Sequence, residues 1–113
     1  MTELAPEDQK LLTLARATLS RTGGPEGAAV RDTDGRTYAA ATVALPSLQV
    51  SAIEACVAMA VSSGSRGLEA AVLLTGADGV SEHDLDVLRD FAGAGVPVHL
   101  GNPSGSISGS SGT

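Results

Sequence analysis

Glu54 is the residue in this sequence best placed to do chemistry. It stands three positions after Ser51 at the head of an apolar run, SAIEACVAMAVSSG, from Ser51 to Gly64. A carboxylate at a helix start can move protons as a general acid or base, but S-x-x-E is also the capping box, in which serine and glutamate satisfy free backbone amides. The cap weighs more, because a proton shuttle without an activated water has no task. A second cluster, Ser81-Glu82-His83-Asp84, combines an imidazole and a carboxylate of the kinds that hold metal ions. Ser81 with Asp84 is equally an S-x-x-D cap, and adjacent residues on one helix point in different directions. Cys56, set amid Ala and Val, reads as a small core hydrophobe. His99, beside Pro97 in a short strand, has no cysteine or serine partner arranged for nucleophilic catalysis and reads as structural or surface. The glycines at 76, 79, 93, 95 and 101 are turns, since no G-K-[ST] follows any of them.

These residues need elements to hold them. The run from Ser51 to Gly64 carries apolar side chains on every side, which predicts a central helix covered all round. Pro6, the acidic pair Glu7-Asp8, and Leu11, Leu12, Ala15 and Leu19 at helical spacing predict a first helix from Pro6 to Ser20. Asp34-Gly35 is a hairpin signal, so residues 26 to 32 and 36 to 45 should pair antiparallel. Ala70 to Leu74 is a continuous apolar strand of the kind covered on both faces. Ser81 caps a helix from Glu82 to Phe91, and Val96 to Leu100 forms a last strand. The order is helix, hairpin, helix, strand, helix, strand: an α/β chain with a mixed β-sheet and helices over its faces. One domain spans 1–103, and the Gly/Ser-rich residues 104–113 are expected to be a flexible tail.

Composition narrows the functions. A chain of 113 residues is one domain with a modest core, and aromatics make up only 2% of it. Tyr38 and Phe91 alone could hold a flat ligand by its face. Seven basic against thirteen acidic residues give a net charge of -6, which opposes phosphate backbones and anionic membranes. Nucleic acid and membrane are therefore not expected partners. One cysteine forbids an internal disulfide, the start Met1-Thr2-Glu3 lacks the pattern of a signal peptide, and no apolar run would span a bilayer. The expected location is the cytoplasm.

Gly27-Ala28-Ala29-Val30, the Asp34-Gly35 hairpin, the helix bearing Glu54, and LRDFAGAGVPVHLGNP from Leu88 to Pro103 together resemble the cytidine deaminase family. The resemblance runs from about residue 8 to 103 and implies the three-layer cytidine deaminase-like fold. In that family a C-A-E or H-A-E triplet opens one helix and P-C-G-x-C-R-Q another, and their ligands meet at one zinc ion. The zinc acidifies a water, and a glutamate that is not a ligand shuttles the proton. Placed on this sequence, the triplet falls on Ala52-Ile53-Glu54 and the two cysteines on Ser81 and Asp84. The sugar-holding N-V-E falls near Thr42-Val43-Ala44, and the base-side phenylalanine on Gly24 or Pro25. The glutamate is kept while the zinc ligands, sugar contacts and base platform are absent.

The resemblance therefore implies a cytidine deaminase-like protein without metal or deaminase activity, serving as a binding or assembly module. Its alternative is an active nucleoside deaminase with an altered, zinc-holding site around Glu54, Asp84 and His83. Any remaining pocket should be lined by Ala52, Glu54, Ser81 and Asp84 and admit a cation, a polar small molecule or only water. The family's symmetric dimers and tetramers, with the apolar central helix, imply a homo-oligomer.

Overall fold

A computed structural model of the chain describes residues 4 to 113, so the acidic start at residues 1–3 lies outside the described residues. The first helix, α1 (Pro6–Thr22), begins on proline, carries Glu7 and Asp8 in its first turn, and ends on Gly23 in the left-handed conformation, φ 68°. Strands β1 (Glu26–Asp32) and β2 (Thr37–Ala41) form the expected hairpin, with Gly35 supplying the positive φ of its turn. The hairpin's second arm is shorter than expected. After Thr42 the chain leaves the main sheet and folds a separate small hairpin, β3 (Val43–Leu45) on β4 (Leu48–Val50), around Pro46-Ser47. Helix α2 (Ala52–Ser62), strand β5 (Leu68–Thr75), helix α3 (Glu82–Ala92) and strand β6 (Pro97–Gly101) follow as the sequence predicts.

The last element is a correction. The Gly/Ser-rich segment expected to be flexible forms strand β7 (Ile107–Gly112), paired antiparallel with β6. The expectation weighed only apolar burial, and this strand is held otherwise: by its ladder to β6, by Ile107 against α1's cluster, and by Thr113. The Thr113 hydroxyl donates to the Gly93 carbonyl at 2.6 Å and accepts from the Val96 amide, while Arg89 donates to the Thr113 carbonyl.

The five-stranded sheet runs β2-β1-β5-β6-β7, with β5 and β6 parallel and every other pair antiparallel. Alternation along β1 and β5 splits the core in two. Ala29, Ala70, Val72 and Leu74 face α1, which buries Leu11, Leu12, Ala15 and Leu19 against them. Ala28, Val30, Ala71 and Leu73 face α2 and α3. Three layers result, helix, sheet and helix pair. With so few aromatics the layers must approach closely: a β-carbon at Gly27 would come within 2.8 Å of the Ala15 carbonyl and of Leu19.

Helix α2 is not covered all round. Ala52, Ile53, Cys56, Val57 and Ala60 make the stripe that meets the sheet and α3, but Met59 is 37% and Val61 52% exposed. The sheet and α3 lie on two sides only, and the remaining flank faces outward.

Candidate functional site

The amino ends of α2 and α3 meet, and five of the singled-out polar residues, Ser51, Glu54, Ser81, His83 and Asp84, come together there. Ser51 is the cap of α2: its hydroxyl accepts from the Glu54 amide at 3.0 Å, and the Glu54 carboxylate accepts from the Ser51 amide at 2.7 Å. Both halves of the capping box are present. Ser81 caps α3 by accepting from the Asp84 amide at 3.1 Å. Two contacts then cross between the helices. The Ser51 hydroxyl donates to the Asp84 carboxylate at 2.7 Å, and His83 Nε2 lies 3.0 Å from Glu54 Oε2. Asp84 is buried there and Ala52 fully so, whereas His83 is exposed.

The electrostatics suit a cap rather than a proton shuttle. The Ser51 amide, and then His83, hold the Glu54 carboxyl below the ordinary carboxylate range. A group that must take and return a proton near neutral pH is tuned the other way. Glu54 in turn raises His83 above the ordinary imidazole value. By linkage the glutamate's contribution is present above about pH 4 and the histidine's below about pH 6.5, so this pair acts most strongly between them.

The donor set does not fit a zinc ion. Ala52 offers no ligand, the Ser81 hydroxyl is spent on a cap, and the Asp84 carboxylate is engaged by Ser51. Among the described residues no three of His, Cys, Asp and Glu are grouped to hold a metal. Where two helix starts could share a metal, they share a hydrogen bond. Cys56 is no substitute: it is buried under Tyr38, donates weakly to that residue's carbonyl at 3.7 Å, and burial pushes its thiol up to about 12.

The open space lies beside this junction. A cleft of about 560 Å³ opens past the carboxyl ends of β5 and β6, between Pro25-Glu26, the β3–β4 hairpin, Ser51, Thr75 to Ala77 and Pro103. The expected lining of Ala52, Glu54, Ser81 and Asp84 does not form it; their neighbour Ser51 reaches it, while Glu54 and Ser81 are engaged as caps, Asp84 is bonded to Ser51 and Ala52 is fully buried. Pro25 and Thr42 to Ala44, the segments that the resemblance puts around base and sugar, do line it. Tyr38 and Phe91 do not.

Two polar networks escaped the sequence reading. Asp32, fully buried, accepts from the Asp34 and Arg36 amides at 2.9 Å each, from Tyr38 Oη at 3.2 Å and from Ser65 Oγ. Burial pushes its carboxyl up, but the bonds from Ser65, the two amides and Tyr38 outweigh that and hold it below the ordinary range. His99 does have a serine partner: Nδ1 lies 2.5 Å from Ser110 Oγ and Nε2 2.8 Å from Asp8 Oδ2. Asp8 is also paired with Arg31 at 3.0 Å, and Arg31 with Glu69 at 2.9 Å. Serine, histidine and aspartate here tie β7, β6 and α1 together. Asp-Gly spacing announces the turn at Asp32, but Ser65 and Ser110 are long-range partners with no local signal.

The layering and the paired helix starts define a deaminase-type scaffold. A family model described as cytidine deaminase-like matches residues 4–105, and the chain belongs to that family. Solved structures agree on the fold. Cytidine deaminase from Burkholderia pseudomallei superposes with a TM-score of 0.77 at 20% identity, over 98% of this chain and 92% of that one. The enzyme from Mycobacterium leprae gives 0.71 at 19%, over 88% and 90%. That from Mycobacterium tuberculosis gives 0.69 at 21%, over 91% and 89%. No curated protein matches the sequence.

Proposed function

We propose that this chain is a cytidine deaminase-like protein that neither holds zinc nor deaminates, and that it works as a small-molecule binding module. The observation that carries the reading is the hydrogen bond from Ser51 to Asp84, joined to Ala52 at the ligand position of the triplet. A carboxylate already satisfied by a hydroxyl and a methyl group beside it leave no activated water, and Glu54 is engaged as a cap. The cleft beyond the ends of parallel strands supports binding, since ligands in open α/β sheets are held there. The net charge of -6 sets nucleic acid aside. Among the described residues no helix is long and apolar enough to cross a membrane, and we place the protein in the cytoplasm.

The test is metal content by plasma mass spectrometry on freshly purified protein, with cytidine turnover on the same sample. Both should be at background. Glu54→Gln should leave turnover there while returning the NMR titration of His83 towards the ordinary imidazole value, because its partner charge is gone. Near one zinc per chain, with turnover lost in Glu54→Gln, would instead establish an active deaminase with unfamiliar ligands.

The same reading includes self-association. Leu45 and Leu48 at the β3–β4 tip are 55% and 52% exposed, and Met59 and Val61 lie on the uncovered flank of α2. Sedimentation at micromolar concentration should show a dimer or tetramer, and Val61→Glu should shift it towards monomer. A wild-type chain that stays monomeric sinks this part of the reading.

A further inference from the structure

The cleft beside Ser51 has an unusual charge. Among the described residues Glu26 is the one charged residue lining it, and no cation of theirs pairs with that carboxylate. One of its oxygens accepts from the Thr75 hydroxyl at 2.7 Å, and Thr75 itself accepts from the Ala77 amide, so the carboxylate is held in place at the cleft. Thr42, another lining residue, has a buried hydroxyl oxygen that finds no partner among the described residues. Most of the rest of the wall is apolar, with Val43, Ala44, Val50 and Pro103.

From this arrangement we infer that the cleft binds a primary alkylammonium compound, its charged nitrogen on Glu26 and its aliphatic body along Val43, Ala44 and Val50. The inference rests on the binding-module reading and names the ligand class for it. A phosphorylated ligand is opposed, because among the described residues the cleft is lined by no Lys or Arg and its one charge is negative. A flat aromatic base has no ring to stack on. A divalent metal would demand several oxygen ligands of high charge, and one carboxylate among apolar walls does not supply them. An ammonium group asks only for one carboxylate and one or two hydroxyl acceptors, which Glu26, Thr75 and Thr42 provide.

The experiment is titration of the isotope-labelled full chain with n-hexylammonium, n-hexanol and hexanoate, three probes that differ chiefly in head group, followed by amide NMR at neutral pH. Hexylammonium should give saturating shifts at Val43, Ala44, Gly76 and Ala77, with hexanol about tenfold weaker and hexanoate silent. Glu26→Gln should weaken hexylammonium about tenfold and leave hexanol unchanged. Thr42→Val, which removes the unpartnered hydroxyl at nearly constant shape, should weaken hexylammonium a few-fold without loss of folded signals. Equal response to the three probes, no response to any, or hexylammonium binding indifferent to Glu26→Gln and Thr42→Val overturns the inference. Saturation by hexanol without preference for the ammonium would leave a binding cleft and remove only the ligand class, whereas zinc and cytidine turnover would remove the binding-module reading itself.

Discussion

Asp32→Ala is expected to cost about 3 kcal/mol of stability, a fall in Tm on the order of 15 °C for a domain this small. The carboxylate is fully buried and gathers four donors: the Asp34 and Arg36 amides of the hairpin turn, Tyr38 Oη on β2, and Ser65 Oγ in the loop after α2. Removing it strands those donors at once, and each buried donor left unmade costs about 1 to 3 kcal/mol before relaxation and water relieve part of it. Tyr38 and Ser65 keep each other, since their oxygens are 3.0 Å apart, so the loss stops short of the full sum. Thermal melts followed by circular dichroism read it. Acid sharpens the test. The native carboxyl lies below its ordinary value, so its contribution is present above about pH 4 and is lost as pH falls through the native value. Wild-type protein should lose stability on that limb, and Asp32→Asn should begin less stable and show a shallower acid slope.

Asp32 also marks where sequence reasoning stops. Asp34-Gly35 announced a hairpin because positive φ angles are a local demand that glycine meets. Nothing local announced that the carboxylate before it would be closed over by Ser65, thirty-three residues on. The capping residues were legible for the opposite reason: Ser51 with Glu54 and Ser81 with Asp84 do their work within one helical turn. Their cross-helix partners, Asp84 for Ser51 and His83 for Glu54, required the fold.

The strands divide the same way. Strand β5 declares itself by the unbroken apolar run from Ala70 to Leu74, which both helix layers bury. Leu48 to Val50 is only three residues long and too short for a period to show. Strand β7 has one apolar side chain, and its order comes from partners the Gly/Ser count cannot register: the β6 ladder, Thr113 and His99. The cleft was legible as to segment but not as to lining. Pro25 and Thr42 to Ala44 fall where the family resemblance puts them, while the residues expected to floor it are turned away into the junction of α2 and α3.

That junction carries the second large effect. Ser51→Ala removes the α2 cap and leaves the buried Asp84 carboxylate without its hydroxyl donor, an expected loss of about 2 to 3 kcal/mol. Asp84→Ala removes the acceptor and a negative charge from the first turn of α3, an expected loss of about 2 kcal/mol. The two changes should not add. Once Ser51 is gone, truncating Asp84 also removes the stranded carboxylate, so the double variant should recover about 1 to 2 kcal/mol of the summed losses. Denaturant melts of the four proteins measure that coupling. Repeating them with chelator and with added zinc separates the two accounts of the site. If the hydrogen bond is what joins the helix starts, every midpoint should be indifferent to both additions. A wild-type midpoint that falls with chelator and rises with zinc, as mass action requires of a metal bound only by the folded chain, would mean that Asp84 serves a metal instead.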